Sequence, residues 1–247
     1  MKRLFALFVV LAFGICFESN LALSALVLKS EITSSRKTSP TAFSNPRWEK
    51  KCRPDKGSVT KKGQIWTLKT SKNSCDGGTF AQRAEIDTGA AISSSHVGKY
   101  VFESKFKLTS DANNKFSILS VNDGRLGCAM PLQIFVSKTG YLSLTGDYKY
   151  GTGLACDRDV LNIKYTFKEK VLRDGTEQIL RVYLDFKGNS KFGVVVYLND
   201  ELVATTAYQF PEGKGFYKSQ SFSLSHGVYS HKMFDYVMET KVTLAKD

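Results

Sequence analysis

Apolar and polar residues alternate with a period of two over most of the chain from Tyr100 onward. In the clearest run, Tyr100, Phe102, Ser104, Phe106 and Leu108 fall on one face, and Val101, Glu103, Lys105 and Lys107 on the other. Such alternation describes a strand with one side against a core and one side in water. The same pattern predicts strands over residues 115–121, 131–137, 141–148, 162–168, 179–186, 191–198, 202–208, 219–229 and 235–244. Turn signals separate them, including Lys138-Thr139-Gly140, Arg173-Asp174-Gly175, Lys187-Gly188-Asn189 and Asn199-Asp200. No stretch carries sustained helical spacing with caps, so the predicted class is all-β. Many short strands with tight turns favour a two-sheet β-sandwich, a jelly roll of the concanavalin-like kind, over a small closed barrel.

The N-terminus breaks this pattern. Met1-Lys2-Arg3, an apolar run from Leu4 to Phe17 and small residues around Ala22-Leu23-Ser24-Ala25 have the layout of a secretory signal peptide. The run is too short to span a bilayer, and an uncleaved signal anchor is the alternative. Residues 1–24 are therefore read as a signal peptide, 25–46, with its Ser, Thr and Pro, as a mobile leader, and 47–247 as one domain. The protein is expected outside the cell, as a monomer, with no membrane span after signal cleavage.

Charge and cysteines sharpen that expectation. A formal net charge of +12 favours a polyanionic partner. Cys16 lies within the apolar run, leaving Cys52, Cys75, Cys128 and Cys156. An even number in an exported chain implies two disulfides, and the sequence-local pairing is one of three connectivities. No pair has the close spacing of a zinc site, so no metal ligands are assigned.

Three strand-like strings carry polar groups suited to an acidic sugar. In the first, Arg83 and Glu85 share a face opposite Gln82, Ala84 and Ile86. A guanidinium there can hold a carboxylate bidentately while the neighbouring Glu orients it. In the second, Gln133 and Phe135 alternate with Leu132 and Ile134, pairing an amide with a ring that can stack on a sugar. In the third, Ser223, Ser225, Gly227, Tyr229 and His231 share a face, and Gly227 is expected to clear space beside Tyr229.

Together these strings resemble the signature regions of the β-jelly-roll polysaccharide lyases, the superfamily of alginate lyases, glucuronan lyases and heparin lyase I. The alginate lyases carry Arg-x-Glu-Leu, Gln-Ile-His and a late string ending Lys-Ala-Gly-Val-Tyr, in that order. Here Arg83-Ala84-Glu85-Ile86, Gln133-Ile134-Phe135 and Ser225-His226-Gly227-Val228-Tyr229 look like them. The likeness spans most of the chain, though each motif is short. One departure matters: Phe135 stands where the alginate lyases have a histidine. The glucuronan-lyase branch draws a histidine from an earlier strand, and His96 would suit that arrangement.

The resemblance implies a secreted lyase that cleaves a 4-linked polyuronate, glucuronan-like or alginate-like, by β-elimination. Tyr229 would act as base, acid or both, and Gln133, Arg83 and His96 would neutralise the substrate carboxylate. Glu85, Phe135, Ser225, His226, His231, Lys105 and Lys107 would contact the polymer. No cofactor is required, and a structural calcium ion is compatible with the reading. The alternatives are a noncatalytic lectin-like sandwich and a sandwich-type glycoside hydrolase, which would need two groove carboxylates. Nucleic acid is not an expected partner, because export and disulfides point to a sugar and no recognition motif is present.

Overall fold

Alternation becomes pairing in the computed structural model, which describes residues 46–75, 80–125, 127–151, 155–166, 168–210, 215, 217 and 219–246. The expected signal peptide and leader lie outside the described residues, apart from Pro46. In chain order the strands are β1 (Glu49–Lys50), β2 (Val59–Lys62), β3 (Ile65–Lys69), β4 (Gln82–Asp87), β5 (Ile92–Ser93) and β6 (Val97–Thr109). They continue with β7 (Phe116–Asn122), β8 (Leu132–Val136), β9 (Leu142–Thr145), β10 (Tyr148–Lys149), β11 (Cys156–Asp157) and β12 (Lys164–Tyr165). The last five are β13 (Asp174–Lys187), β14 (Phe192–Leu198), β15 (Glu201–Tyr208), β16 (Ser221–Ser230) and β17 (Val237–Lys246).

These strands form two antiparallel sheets. The seven-stranded sheet runs β1-β4-β16-β7-β8-β9, with β5 also paired to β16. The eight-stranded sheet runs β12-β15-β14-β13-β6-β17-β3-β2, and β10 pairs with β11. The all-β jelly-roll expectation is met. Between the sheets, Phe102, Phe106, Leu184 and Phe186 join Ile86, Leu119, Ile134, Leu224 and Val228 in one buried cluster. Each such side chain contributes about 1.5–3 kcal/mol through removal from water.

Local chemistry explains where the pattern held and where it failed. Asn199 and Asp200 both adopt positive φ, 51° and 68°, in the two-residue turn that joins β14 to β15. The predicted strand over residues 141–148 is broken after Thr145. At Gly146 a Cβ would stand 2.2 Å from the Pro131 carbonyl, so the chain can pass there only as glycine. Arg173-Asp174-Gly175 is not a turn between strands: β13 begins at Asp174, and its register against β6 shifts between Asp174 and Glu177. The β2–β3 hairpin does not show as alternation, because Thr60, Lys61 and Lys62 are all exposed.

Two irregularities shape the seven-stranded sheet. Register shifts between Ser117 and Leu119 where β7 meets β8, and between His226 and Tyr229 where β16 meets β7. Ile118 and Leu119 consequently both point into the core. Of the three connectivities, the sequence-local one is formed, Cys52 with Cys75 and Cys128 with Cys156.

Candidate functional site

The outer face of the seven-stranded sheet gathers residues from all three strings. Ala84 and Ile86 of β4 enter the core, which turns Arg83, Glu85 and Asp87 outward. On β8, Leu132, Ile134 and Val136 do the same for Gln133 and Phe135. Register then aligns them in rows. Tyr229 pairs with Arg83 on one side and Ser117 on the other, and Ser117 pairs with Phe135. Ser225 likewise pairs with Asp87 and Ser120, and Ser120 with Gln133.

Tyr229 sits within a stack of rings and charge. The guanidinium carbon of Arg83 lies 3.6 Å from its ring centroid, and Phe80 stacks on it at 4.1 Å. Phe80 also meets the ring of His231 at 3.6 Å. The Tyr229 hydroxyl has no hydrogen-bond partner among the described residues.

Arg83 is held on three sides. Its Nε is 3.1 Å from Glu85 Oε2, and its Nη1 is 2.6 Å from Cys75 Sγ, so the first disulfide backs the guanidinium. Glu85 is fully buried. Burial pushes its carboxyl above the usual carboxylate range, against the opposing pull of Lys51 and Arg83.

A second cluster lies along the Ser225 row. Ser225 donates to Asp87 Oδ2 at 2.6 Å and accepts from Asn122 Nδ2 at 2.9 Å. The ammonium of Lys51 lies 3.3 Å from Asp87 and also contacts Ser225 Oγ. Where the resembled string has a lysine, this chain thus has Ser225, with a lysine supplied from beside β1. At the end of the row, Gln133 is only 4% exposed, yet its Nε2 has no partner. A buried donor without a partner costs about 1–3 kcal/mol and marks a place for an acceptor.

Four expected contacts lie elsewhere. His226 points into the core, because β16 alternates it with Ser225 and its neighbours face the other sheet. There its Nδ1 meets the Ile118 carbonyl at 2.9 Å, and its Nε2 meets Ser104 at 3.0 Å and Thr240 at 3.1 Å. Burial pushes its pKa down to about 4, so the ring is neutral and bridges the two sheets. His96 precedes β6 of the opposite sheet, with its ring 5.2 Å from that of Tyr100. The nearby Ser93 pairs with Ser221, and Tyr229 is about 26 Å further along β16 at the usual strand rise. Lys105 and Lys107 lie on the outer face of the eight-stranded sheet, since Ser104, Phe106 and Leu108 between and beside them are buried. They therefore do not share a face with Tyr229.

Glycine at 227 also has a different cause from the one expected. Its φ is +145°, and a Cβ there would stand 2.3 Å from the Ala84 carbonyl. It permits close approach of β16 to β4, rather than clearing space beside Tyr229. Lys51, Phe80, Lys115, Ser120 and Asn122 were not singled out from sequence. Ser120 and Asn122 flank Val121 in plain alternation, but the adjacent Ile118-Leu119 pair hides their phase. No group of three His, Cys, Asp or Glu side chains suited to a metal ion occurs among the described residues.

No protein-family model matches the chain, and no curated protein sequence does. Solved structures do. An endo-β-1,4-glucuronan lyase from the fungus Trichoderma reesei aligns with 85% of this chain and 96% of its own, at a TM-score of 0.52 and 10% identity. The family 7 alginate lyase A1-II′ in complex with substrate aligns with 83% of this chain and 94% of its own, at 0.54 and 10%. The chain therefore has the β-jelly-roll fold of the polysaccharide lyases.

Proposed function

We propose that this protein is a secreted polysaccharide lyase that cleaves a 4-linked polyuronate by β-elimination. The observation that carries the reading is the presence on one sheet face, in neighbouring rows, of Tyr229, whose hydroxyl has no partner among the described residues, and Gln133, whose buried amide lacks an acceptor. The two disulfides fit an oxidising compartment.

In this mechanism the Gln133 amide donates to the uronate carboxylate and lowers the cost of charge building up on it. Tyr229, whose ring lies against the Arg83 guanidinium, is the base that takes the C5 proton. The C4–O bond then breaks, a C4–C5 double bond forms, and the phenol returns the proton to the departing oxygen. Fixed donors aimed at developing charge contribute about 3–4 kcal/mol each, and proton transfer about 10²–10⁴ in rate.

With Phe135 in the histidine position and His96 beside the far end of β16, between β5 and β6, Tyr229 would carry the proton both ways. One residue serving both atoms favours substrates whose C5–H and C4–O bonds lie on the same ring face. Glucuronate and mannuronate have that geometry, and guluronate does not. A glucuronan-like polymer, or mannuronate-rich alginate, is the proposed substrate. Phe135 equally favours one competing reading, a noncatalytic carbohydrate-binding sandwich. A hydrolase fits less well, because Glu85 is tied to Arg83 and Asp87 to Lys51.

Incubating the purified protein with glucuronan, alginate and heparin-type chains, and following ultraviolet absorbance of the unsaturated product, decides between them. Absorbance growth on glucuronan is expected. Binding without any absorbance change would establish the noncatalytic reading.

A further inference from the structure

We propose that Lys115 is the cation that receives the uronate carboxylate at this site, over the ring of Phe135. The identity of the ligand rests on the function proposed above. The choice of Lys115 rests on how charge is distributed over the sheet face.

Most charges on that face are already compensated. Arg83 is paired with Glu85, and Lys51 with Asp87. His231 is stacked on Phe80. Lys115, by contrast, forms no ion pair or side-chain hydrogen bond among the described residues. Its position is equally specific. Lys115 lies two residues before Ser117, the residue that pairs with both Tyr229 and Phe135, and so it shares their face. The Ser230 hydroxyl donates to the Lys115 carbonyl at 2.8 Å, which fixes its backbone against the end of β16.

The ammonium stands 4.3 Å over the Phe135 ring. Gln133, with its unpartnered amide, lies two residues from that ring on the same strand. A carboxylate placed over Phe135 therefore meets a neutral donor from one side and a full positive charge from the other. An exposed cation–π contact is weaker than a charge-assisted hydrogen bond, so the ammonium gains by turning from the ring to an anion. A phenylalanine at 135 cannot supply charge itself, but it gives the lysine a surface on which to lie.

The test is calorimetric titration, in a Tyr229→Phe background that removes turnover, with a glucuronate tetrasaccharide and its carboxyl-reduced glucose counterpart. Lys115→Met should weaken the charged tetrasaccharide about tenfold, leave the neutral one unchanged, and reduce the salt dependence of binding. Lys115→Arg should restore most of the loss. Unchanged binding of the charged ligand in Lys115→Met overturns the proposal, as does an equal loss for both ligands or no recovery with arginine. A parent that binds neither ligand also overturns it. The ultraviolet assay on the wild-type protein separates the two ideas: bound glucuronate without unsaturated product defeats the lyase and leaves Lys115 in place.

Discussion

The guanidinium carbon of Arg83 lies 3.6 Å from the centroid of the Tyr229 ring, so the residue proposed to move protons rests on a fixed positive charge. Tyr229→Phe keeps the ring, its contact with Arg83 and its stack on Phe80, and deletes only the hydroxyl. Turnover on glucuronan should fall by at least about 10², while tetrasaccharide affinity and melting temperature stay near wild type. Steady-state rates alongside calorimetry check this, and retained turnover removes Tyr229 from the mechanism.

Arg83 has a structural duty as well. Glu85 is 1% exposed, and Arg83→Met would leave its carboxylate buried without its partner at 3.1 Å. Breaking such a pair costs about 3–5 kcal/mol. The double variant Arg83→Met/Glu85→Gln should recover much of that loss in urea denaturation, because it no longer buries a lone charge.

Acid should weaken the link between the sheets. The folded state holds His226 neutral, with its pKa lowered by burial from 6.5 to about 4. Its contribution is intact above pH 6.5 and is lost as pH falls from there toward 4. The loss amounts to about 3 kcal/mol. In His226→Phe, Ser104 and Thr240 can keep their own hydrogen bond at 2.8 Å, and the pH dependence over this interval should flatten. Denaturation midpoints from pH 7 to pH 4 compare the two proteins. Equal slopes would exclude His226 as the source.

Gly227→Ala tests the close approach of β16 to β4. With φ at +145° and the Ala84 carbonyl 2.3 Å from the added methyl, backbone strain and overlap should destabilise the protein by about 2–4 kcal/mol. Thermal melting measures it, and a wild-type melting temperature would mean that the strands separate at little cost.

Alternation made the fold legible wherever one face was buried and one wet, as in Phe102 to Leu108 and Phe192 to Leu198. It also sorted Arg83, Gln133 and Tyr229 correctly onto outward faces. It does not say which sheet a strand joins, so nothing in it separates Lys105 and His96 from the Tyr229 face that they do not share. Nor could it weigh burial: His226 carries the polar chemistry of a ligand contact, but three internal partners occupy it. The missed residues Lys51 and Lys115 sit at strand ends, where periodicity carries little information and only pairing reveals the neighbours.

The register shifts have a consequence for reach. Between the row of Tyr229 and the row of Ser225, β4 and β16 each advance four residues, β7 three and β8 two. The extra residues on β16 and β7 are taken up as bulges, which bend those strands and sharpen their twist between the two rows. A stiff extended ligand of the kind proposed would have to follow that bend. Where it seats would then be set by the backbone as much as by any single side chain.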